Sequence, residues 1–267
     1  MTHQKRWMLL CLAVLALGSA FPESARSQRT EELTIAAAWP LKPALREILP
    51  LFESIHPGLN IRIVYGPSHG LRDQIQEGAP LDVFLAASIE DLNILYKKSL
   101  TINGRPIVYA MTSLAMVTSF RSHITSASFR ENKAPMPLRV AMGDPVTTAL
   151  GTATRELFAK RPLSSHVRYF YGSPDEVSKL VEAEEADVGI VFRPEAMTNP
   201  KLRIIEGATV QLGSPILFGA SIVWTCRRAA VPWAKQFIDF TQSEQAQQIL
   251  QRYGYDHAPA DLRATER

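Results

Sequence analysis

The sequence predicts an α/β fold built mainly from parallel sheets. Strand-like and helix-like segments alternate almost throughout the 267 residues, as they do in proteins where helices connect parallel strands. Neither an internal sequence repeat nor a Gly/Ser linker divides the chain into independent domains. If the fold has two lobes, the chain must therefore pass from one lobe to the other and back through crossing strands.

The first residues are typical of an export signal and are left out of the fold. Two basic residues precede an apolar run of 11 residues, Trp7 to Leu17, and small residues follow. A bilayer-spanning helix needs roughly 20 apolar residues, so this run fits the h-region of a signal peptide instead. Cleavage is expected after Ala20 or Ser27, which assigns residues 1–27 to a signal peptide. The alternatives are an uncleaved amphipathic anchor and a lipoprotein attached at Cys11.

Charge and cysteine content exclude some classes of protein. Removal of residues 1–27 takes away three basic side chains and one acidic side chain, so the net charge falls from +3 to +1. A nearly neutral chain without a basic block does not indicate a nucleic-acid partner. Cys226 is the one cysteine left, so the mature chain forms no internal disulfide. Its length of about 240 residues is enough to fold without one.

The first part of the mature chain contains three predicted strand–helix pairs. They are Leu33–Ala38 with Ala44–Ile55, Asn60–Tyr65 with Leu71–Gln76, and Asp82–Ala87 with Ile89–Lys97. Apolar residues recur at helical spacing in the first helix, where Pro50 is expected to cause a kink. Gly78 is expected to end the second helix.

The pattern restarts at Ser113 and continues to the end of the chain. Predicted strands are Ser113–Val117, Arg139–Met142, Val167–Tyr171, Val188–Phe192, Leu202–Ile205 and Ala220–Trp224. Predicted helices are Thr152–Lys160, Pro174–Glu184, Pro232–Thr241 and Glu244–Tyr253. The polar stretch from Arg121 to Pro137 is interpreted as a loop insertion.

Metal and nucleotide chemistry is not indicated. The mature histidines, at positions 56, 69, 123, 166 and 257, never fall at ligand spacing, and no cysteine pair is present. Gly143-Asp144-Pro145 follows a predicted strand but lacks the further glycines of a dinucleotide or phosphate loop. We therefore expect neither a metal nor a cofactor.

One catalytic pattern has to be weighed. Residues 66–70 (GPSHG) fit G-x-S-x-G between a predicted strand and a predicted helix, with Ser68 in the place of a nucleophile. A triad would also need a histidine such as His166 or His257. Too few residues precede the motif for the strands that an α/β hydrolase builds first, and no HGGG-type segment is present. A serine hydrolase is kept as the alternative from a different class.

The same turn fits an anion site better. A strand that leads into a helix through a Gly/Ser turn presents free N–H groups at the positive end of the helix. Four such junctions occur, at Trp39, Ser68–Gly70, Val146–Gly151 and Ser173–Asp175. For any single junction, ordinary N-capping is the more common explanation.

Five segments between Leu33 and Ala258 carry a family pattern: TIAAAWPLKPALREI (34–48), LRDQIQEGAPLDVFLAAS (71–88), VAMGDPVTTALGTATRELF (140–158), PDEVSKLVEAEEADVGIVF (174–192) and FIDFTQSEQAQQILQRYGY (237–255). In these segments, their order and their spacing, the chain resembles the periplasmic molybdate-binding proteins of ABC importers. The QIxxGAPxDVF and GDP segments are specific to the family. The terminal helix pattern is shared with other solute-binding proteins.

The resemblance implies a class II periplasmic binding protein fold with a ligand cleft between two α/β lobes. One lobe is expected at residues 30–110 plus 221–261, and the other at 111–220. It also implies a monomer that binds a small oxyanion, such as molybdate or tungstate, and delivers it to a membrane permease. It implies no enzymatic activity.

Family proteins hold a tetrahedral oxyanion through Ser and Tyr hydroxyls and backbone N–H groups. Carried over to this sequence, the two Ser positions fall on Trp39 and Ser68, the backbone donors on Leu150 and Val177, and the Tyr on Phe192. Two hydroxyl donors are therefore missing. We expect Trp39 and Phe192 to be pocket walls, and the alternative to a molybdate-type site is one retuned to another small or organic anion.

Overall fold

The structure, a computed structural model, describes residues 31–130, 136–160, 167–205, 215–259 and 262. The expected signal peptide lies outside the described residues. The strands are β1 (Glu31–Ala38), β2 (Leu59–Gly66), β3 (Val83–Ala86), β4 (Ile107–Thr112), β5 (Leu114–Ser119), β6 (Leu138–Gly143), β7 (Val167–Gly172), β8 (Val188–Phe192), β9 (Leu202–Ile204), β10 (Ile216–Ile222) and β11 (Asp256–His257).

A 3₁₀ turn at Trp39–Leu41 leads from β1 into the first helix. The helices are α1 (Lys42–Ser54), α2 (Ser68–Gln76), α3 (Ile89–Lys97), α4 (Ser126–Arg130), α5 (Ala149–Lys160), α6 (Pro174–Glu182), α7 (Arg193–Thr198), α8 (Val231–Thr241) and α9 (Glu244–Arg252). In the described part of the chain no helix is both long enough and apolar enough to cross a bilayer.

These elements form two sheets, which confirms the predicted α/β class. The first sheet has the strand order β11-β4-β10-β3-β1-β2, and the second has β7-β6-β8-β5-β9. In each sheet three consecutive parallel strands are extended by an antiparallel strand, β10 beside β3 and β5 beside β8. The chain enters the second sheet between β4 and β5 and returns to the first at β10.

The two sheets share a structural device that fixes the parallel strands. In the first sheet, Asp82 accepts a hydrogen bond from Thr34 N at 2.7 Å and from Arg227 Nη2 at 2.6 Å. In the second, Asp187 accepts from Arg139 N at 2.8 Å and from Arg139 Nη2 at 2.6 Å. Burial opposes ionisation of Asp82, but its hydrogen bonds with Arg227 and Thr34 outweigh this and lower its pKa. In each sheet an aspartate carboxylate just before one strand therefore bonds to the neighbouring parallel strand.

Most predicted elements are present, with shifted ends. α5 begins three residues before the predicted start, and β10 begins four residues earlier than predicted and ends at Ile222. Pro50 does not end α1, which continues to Ser54. The stretch interpreted as a loop contains the short helix α4. Gly78 follows α2 with a φ of +90°, a conformation that glycine adopts readily.

Besides α4 and the two-residue strand β11, two elements were missed by the sequence analysis, β4 and α7. β4 reads IVYAMT and is separated from β5 by Ser113 alone, so no turn residues mark where one strand ends and the next begins. α7 follows β8 directly, with Pro194 in its first turn. Both lie where the chain changes direction close to the second sheet. The predicted lobe boundaries at residues 110 and 220 remain a prediction.

Candidate functional site

The four strand-to-helix junctions named from the sequence meet at one small cavity. Its volume is about 10 Å³, which is room for roughly one water molecule. It is lined by Ala38, Trp39, Pro40, Gly66, Pro67, Ser68, Ala87, Thr148, Ala149, Leu150, Pro174 and Phe192. These residues come from elements of both sheets. Four of the five predicted site residues therefore lie around a single space.

Ser68 begins α2 and is buried, with 3% of its surface exposed. Its Oγ accepts a hydrogen bond from Ala87 N at 3.2 Å. Leu71 N donates to Pro67 O at 2.9 Å, whereas the N–H groups of residues 68–70 have no acceptor among the described residues. A hydroxyl and the open end of a helix therefore face the cavity together.

Sequence reasoning missed Ala87, the residue that positions this hydroxyl. It lies at the end of β3, and its amide is the donor to Ser68 Oγ. Its involvement could have been predicted because it ends the predicted strand Asp82–Ala87, and the carboxyl ends of parallel strands lie at the same edge of a sheet. Its small side chain also leaves space that a larger one would fill.

The junction before α5 is held by a compact set of local hydrogen bonds. Asp144 Oδ1 accepts from Val146 N at 2.8 Å and from Thr147 N at 2.9 Å, and the bonds from Thr147 and Val146 lower the pKa of Asp144. Thr148 Oγ1 donates to Asp144 O at 2.8 Å and accepts from Gly151 N at 3.0 Å. The N–H of Leu150 has no acceptor in the described part of the chain. It is a free donor at the cavity.

The junction before α6 is a capping box. Ser173 Oγ accepts from Glu176 N, and the Glu176 carboxylate accepts from Ser173 N at 2.6 Å, which lowers the pKa of Glu176. Val177 N donates to Ser173 O at 3.0 Å, and its side chain is fully buried. The predicted donor at Val177 is thus already bonded within its helix, while Pro174 lines the cavity.

Trp39 lies at the entrance of the cavity and is partly exposed, at 43%. Its ring stacks on Tyr65, with centroids 5.9 Å apart and planes inclined by 18°. Lys42 Nζ lies 5.1 Å from the centroid of the Trp39 ring, within range of a cation–π interaction. Tyr65 and Lys42 therefore hold the Trp39 ring in place at the rim of the cavity.

Phe192 forms the opposite wall and is buried, with 1% exposure. It packs edge to face against Phe218 at 5.9 Å, and Phe218 packs in the same way against Tyr255 at 5.1 Å. Tyr255 in turn donates from its hydroxyl to Pro40 O at 2.8 Å. The wall is thus fixed by an aromatic cluster that links β8, β10 and the 3₁₀ turn before α1.

The histidines do not form a triad with Ser68 in the described part of the chain. His69 Nδ1 lies 2.8 Å from Asp91 Oδ1, and its Nε2 lies 3.4 Å from Thr152 Oγ1. His257 is exposed on β11, and His166 lies outside the described residues. The described bond of Ser68 Oγ is with a backbone amide. The geometry here is that of a fixed hydroxyl, without a base to activate it.

Electrostatically the cavity favours an anion without supplying a formal positive charge. None of its lining residues carries an ionised side chain. Helix N-termini present partial positive charge and free N–H groups, which together stabilise bound anions. No group of three or more His, Cys, Asp or Glu suited to a metal occurs among the described residues.

Comparisons with known proteins indicate the family of the chain. Residues 33–256 match the family described as bacterial extracellular solute-binding protein. A candidate ABC transporter substrate-binding lipoprotein of Bacillus subtilis, YvgL, is 29% identical over 257 residues, covering 92% of this chain and 95% of that protein. The molybdate-binding protein ModA of Haemophilus influenzae is 24% identical over 250 residues, covering 91% and 95%.

A solved structure is similar as well. The periplasmic molybdate-binding protein of Azotobacter vinelandii superposes with a TM-score of 0.71 at 19% identity, covering 85% of this chain and 100% of that one. The likeness extends to the whole two-sheet architecture described above. The chain belongs to the bacterial extracellular solute-binding protein family.

Proposed function

We propose that this solute-binding protein captures a small oxyanion outside the cytoplasm and delivers it to an ABC importer. The observation that carries the proposal is the convergence of four strand-to-helix junctions on one cavity between the two sheets. Two of these junctions offer free donors to the ligand, Ser68 with the open first turn of α2 and the N–H of Leu150 in α5, and helix N-termini stabilise bound anions. Several relatives are named as molybdate-binding proteins.

In this proposal the ligand accepts hydrogen bonds from Ser68 Oγ and Leu150 N. Trp39 and Phe192 are walls of the pocket. Val177 contributes as part of the first turn of α6, where its own N–H donates to Ser173 O. A tetrahedral anion such as molybdate or tungstate is the first candidate. Because two hydroxyl donors of the family pattern are replaced by Trp39 and Phe192, the inorganic anion is expected to bind more weakly than in proteins that keep both.

Isothermal titration against molybdate, tungstate, sulfate and phosphate tests the proposal. At least one of them should bind with 1:1 stoichiometry. Ser68→Ala should weaken that binding by about tenfold to a hundredfold, since a hydrogen bond to a charged group contributes about 1.5–3 kcal/mol. The matched control is Ser243→Ala, which removes the hydroxyl that caps α9 and is not part of the cavity lining. Loss of affinity in both variants alike would contradict the assignment.

The chain is proposed to form two lobes, residues 30–110 plus 221–261 and residues 111–220, that close around the ligand. The chain passes from the first sheet to the second at Ser113 and returns before β10. Only these few connecting segments would have to bend at a hinge. A ligand that contacts both lobes stabilises the closed state by its differential affinity. Small-angle scattering should show a smaller radius of gyration with a saturating ligand. An unchanged radius would contradict a hinged cleft.

The chain is proposed to be exported by its signal peptide and to act as a monomer with a membrane permease. The mature protein should begin between Phe21 and Arg29. N-terminal sequencing of protein recovered from the periplasm or medium tests this, and a functional protein that retains Met1 would contradict it. A lipid-modified N-terminus at Cys11 would favour the lipoprotein alternative.

We propose no enzymatic activity for this site. Ser68 Oγ is held by the Ala87 amide, while the neighbouring His69 ring bonds Asp91 and lies next to Thr152 instead of Ser68. A fluorophosphonate probe, which labels activated serines, should leave the native protein unlabelled. Labelling that disappears in Ser68→Ala would favour the hydrolase instead.

A further inference from the structure

A second, larger cavity adjoins the proposed anion site. Its volume is about 300 Å³, at the lower end of the range for small-molecule pockets. One wall is a face of α5 that includes Ala149, Ala153 and Leu157, and the opposite wall includes Ala87, Leu114 and Ile216. We call this space the α5 groove. It lies between elements of the two sheets, as the anion site does.

The α5 groove and the anion site share two lining residues, Ala87 and Ala149. Each of these residues is next to a donor of the anion site. Ala87 N bonds Ser68 Oγ, and Ala149 precedes the free N–H of Leu150. Because both shared side chains are single methyl groups, the groove begins within one small side chain of the anion donors. A molecule with its anionic group at Ser68 would have its remaining atoms in the groove.

The lining of the α5 groove indicates what those atoms are. Its walls are mostly methyl and aliphatic groups, while the ionisable side chains Glu90, Glu156 and Lys160 are exposed at its edge. Two carboxylates against one ammonium disfavour a second anionic group in the groove. Aliphatic walls favour burial of hydrocarbon.

We propose that the α5 groove binds the uncharged body of an organic oxyanion, a carboxylate or phosphate monoester whose charged group occupies the anion site. This inference rests on the proposed function, because the charged group needs that site. It also accounts for the small volume at Ser68. The anion site has room for about one water-sized group, and Trp39 and Phe192 occupy the positions where relatives of the molybdate-binding type carry hydroxyl donors. The adjoining groove supplies the space that the anion site lacks.

A chain-length series on the native protein tests the inference. Titration with acetate, butyrate and hexanoate, and with phosphate and butyl phosphate, should show affinity rising roughly fourfold for each added methylene up to the length of the groove, the factor that corresponds to about 0.8 kcal/mol. The two sets distinguish a carboxylate from a phosphate head. Adipate, which adds a second carboxylate to a chain of the same length as hexanoate, should bind more weakly than hexanoate.

Inorganic anions distinguish failure of this inference from failure of the proposed function. If molybdate or phosphate binds but affinity does not change with chain length, the organic-anion inference is wrong and anion capture stands. If no anion of any kind binds, the proposed function fails, and this inference fails with it.

A substitution in the groove gives a second, independent test. Ala153→Phe places a ring into the α5 groove, whereas Ala159→Phe adds the same ring on an exposed position of the same helix outside the groove. Ala153→Phe should weaken hexanoate at least tenfold and leave molybdate or phosphate within about twofold of the native value. Ala159→Phe should change neither. An equal loss for organic and inorganic anions in Ala153→Phe would overturn the inference.

Discussion

His69 Nε2 and Thr152 Oγ1 lie 3.4 Å apart, although His69 belongs to α2 beside the first sheet and Thr152 to α5 beside the second. Asp91 fixes the imidazole from its other side, with Oδ1 2.8 Å from Nδ1. The contact joins two helices whose first turns both line the anion site. It therefore couples the positions of two donor sets that the ligand must meet together.

Removal of the Thr152 hydroxyl should weaken ligand binding. Thr152→Val keeps the shape of the side chain but loses the contact with His69 and the hydroxyl's contacts with Pro145 O and Thr148 O. Affinity should therefore fall about twofold to tenfold, in line with about 0.5–1.5 kcal/mol for one hydrogen bond. Thr152→Ser retains the hydroxyl and should behave like the native protein. Isothermal titration with the tightest-binding anion measures both. Native affinity in Thr152→Val would show that the contact does not influence binding.

Loss of the Asp91 carboxylate should destabilise the fold. Asp91 is 1% exposed and accepts from His69 Nδ1 and, at 2.9 Å, from Arg72 Nη1. Asp91→Ala leaves both partners without their acceptor, at a cost of about 2–4 kcal/mol in the free energy of unfolding. Asp73→Ala removes the exposed partner of the same arginine and should change stability by less than about 0.5 kcal/mol. Urea denaturation of the two variants compares them directly, and equal losses would contradict this account.

The fold was largely predictable because its strands are continuous apolar runs between helix-period segments. β8 and α3 have the predicted bounds, because β8 is one uninterrupted apolar run and Ser88 caps the start of α3. β4 was missed because it passes from one sheet towards the next with a single intervening residue, Ser113. Such a crossing depends on tertiary packing, and local residue preferences do not reveal it.

The junctions that form the site could be predicted from the sequence, but the cavity that they surround could not. Helix starts with Gly, Ser or Pro are visible in the sequence, and all four named junctions contribute to the cavity. The bond from Ala87 to Ser68, the engaged N–H of Val177 and the stack of Trp39 on Tyr65 depend on how distant segments meet. The α5 groove likewise arises from the packing of four segments that are far apart in the sequence.

Gly151 should not tolerate a side chain. A Cβ at this position would lie 2.2 Å from the carbonyl carbon and oxygen of Asp144, which closes the turn before α5. Gly151→Ala should cost about 1–3 kcal/mol in stability and weaken anion binding through the displaced Leu150 N–H. At Gly70 the nearest atom is Pro67 Cδ at 4.0 Å, so Gly70→Ala should be neutral or stabilise by about 0.4–1 kcal/mol. Thermal unfolding and titration of both variants test the contrast, and equal behaviour would contradict it.

Stability should depend on the protonation of Glu195. Burial raises its pKa to about 7 from an ordinary 4.5, with a bond from Ser178 Oγ acting against the shift and the charges of Asp175 and Glu182 adding to it. Between about pH 4.5 and 7 the folded protein holds a proton that the unfolded chain has lost, so stability falls as the pH rises through this window. Glu195→Gln should remove that loss.

The free energy of unfolding of Glu195→Gln relative to native should therefore increase by up to about 3 kcal/mol between pH 4.5 and pH 8. Denaturant titrations at a series of pH values measure the difference. Glu156→Gln, at an exposed position, serves as the control and should show a difference that does not vary with pH. A pH-independent difference for Glu195→Gln as well would contradict the assignment.

Restoring the two missing hydroxyls should improve binding of inorganic oxyanions. Trp39→Ser removes a ring at the entrance and adds a hydroxyl, and Phe192→Tyr adds a hydroxyl to a side chain that lines the cavity. Two hydrogen bonds to a charged ligand contribute roughly 3–6 kcal/mol, so the double variant should bind molybdate or tungstate about two orders of magnitude more tightly, or better. Trp224→Ser removes a similarly exposed tryptophan, 46% against 43%, that does not line the cavity, and should bring no gain.

Titration of the native, single and double variants against molybdate, tungstate, sulfate and phosphate decides the matter. Nanomolar molybdate binding by the native protein would show that Trp39 and Phe192 have not retuned the site, and failure of every variant to bind any oxyanion would contradict the site itself.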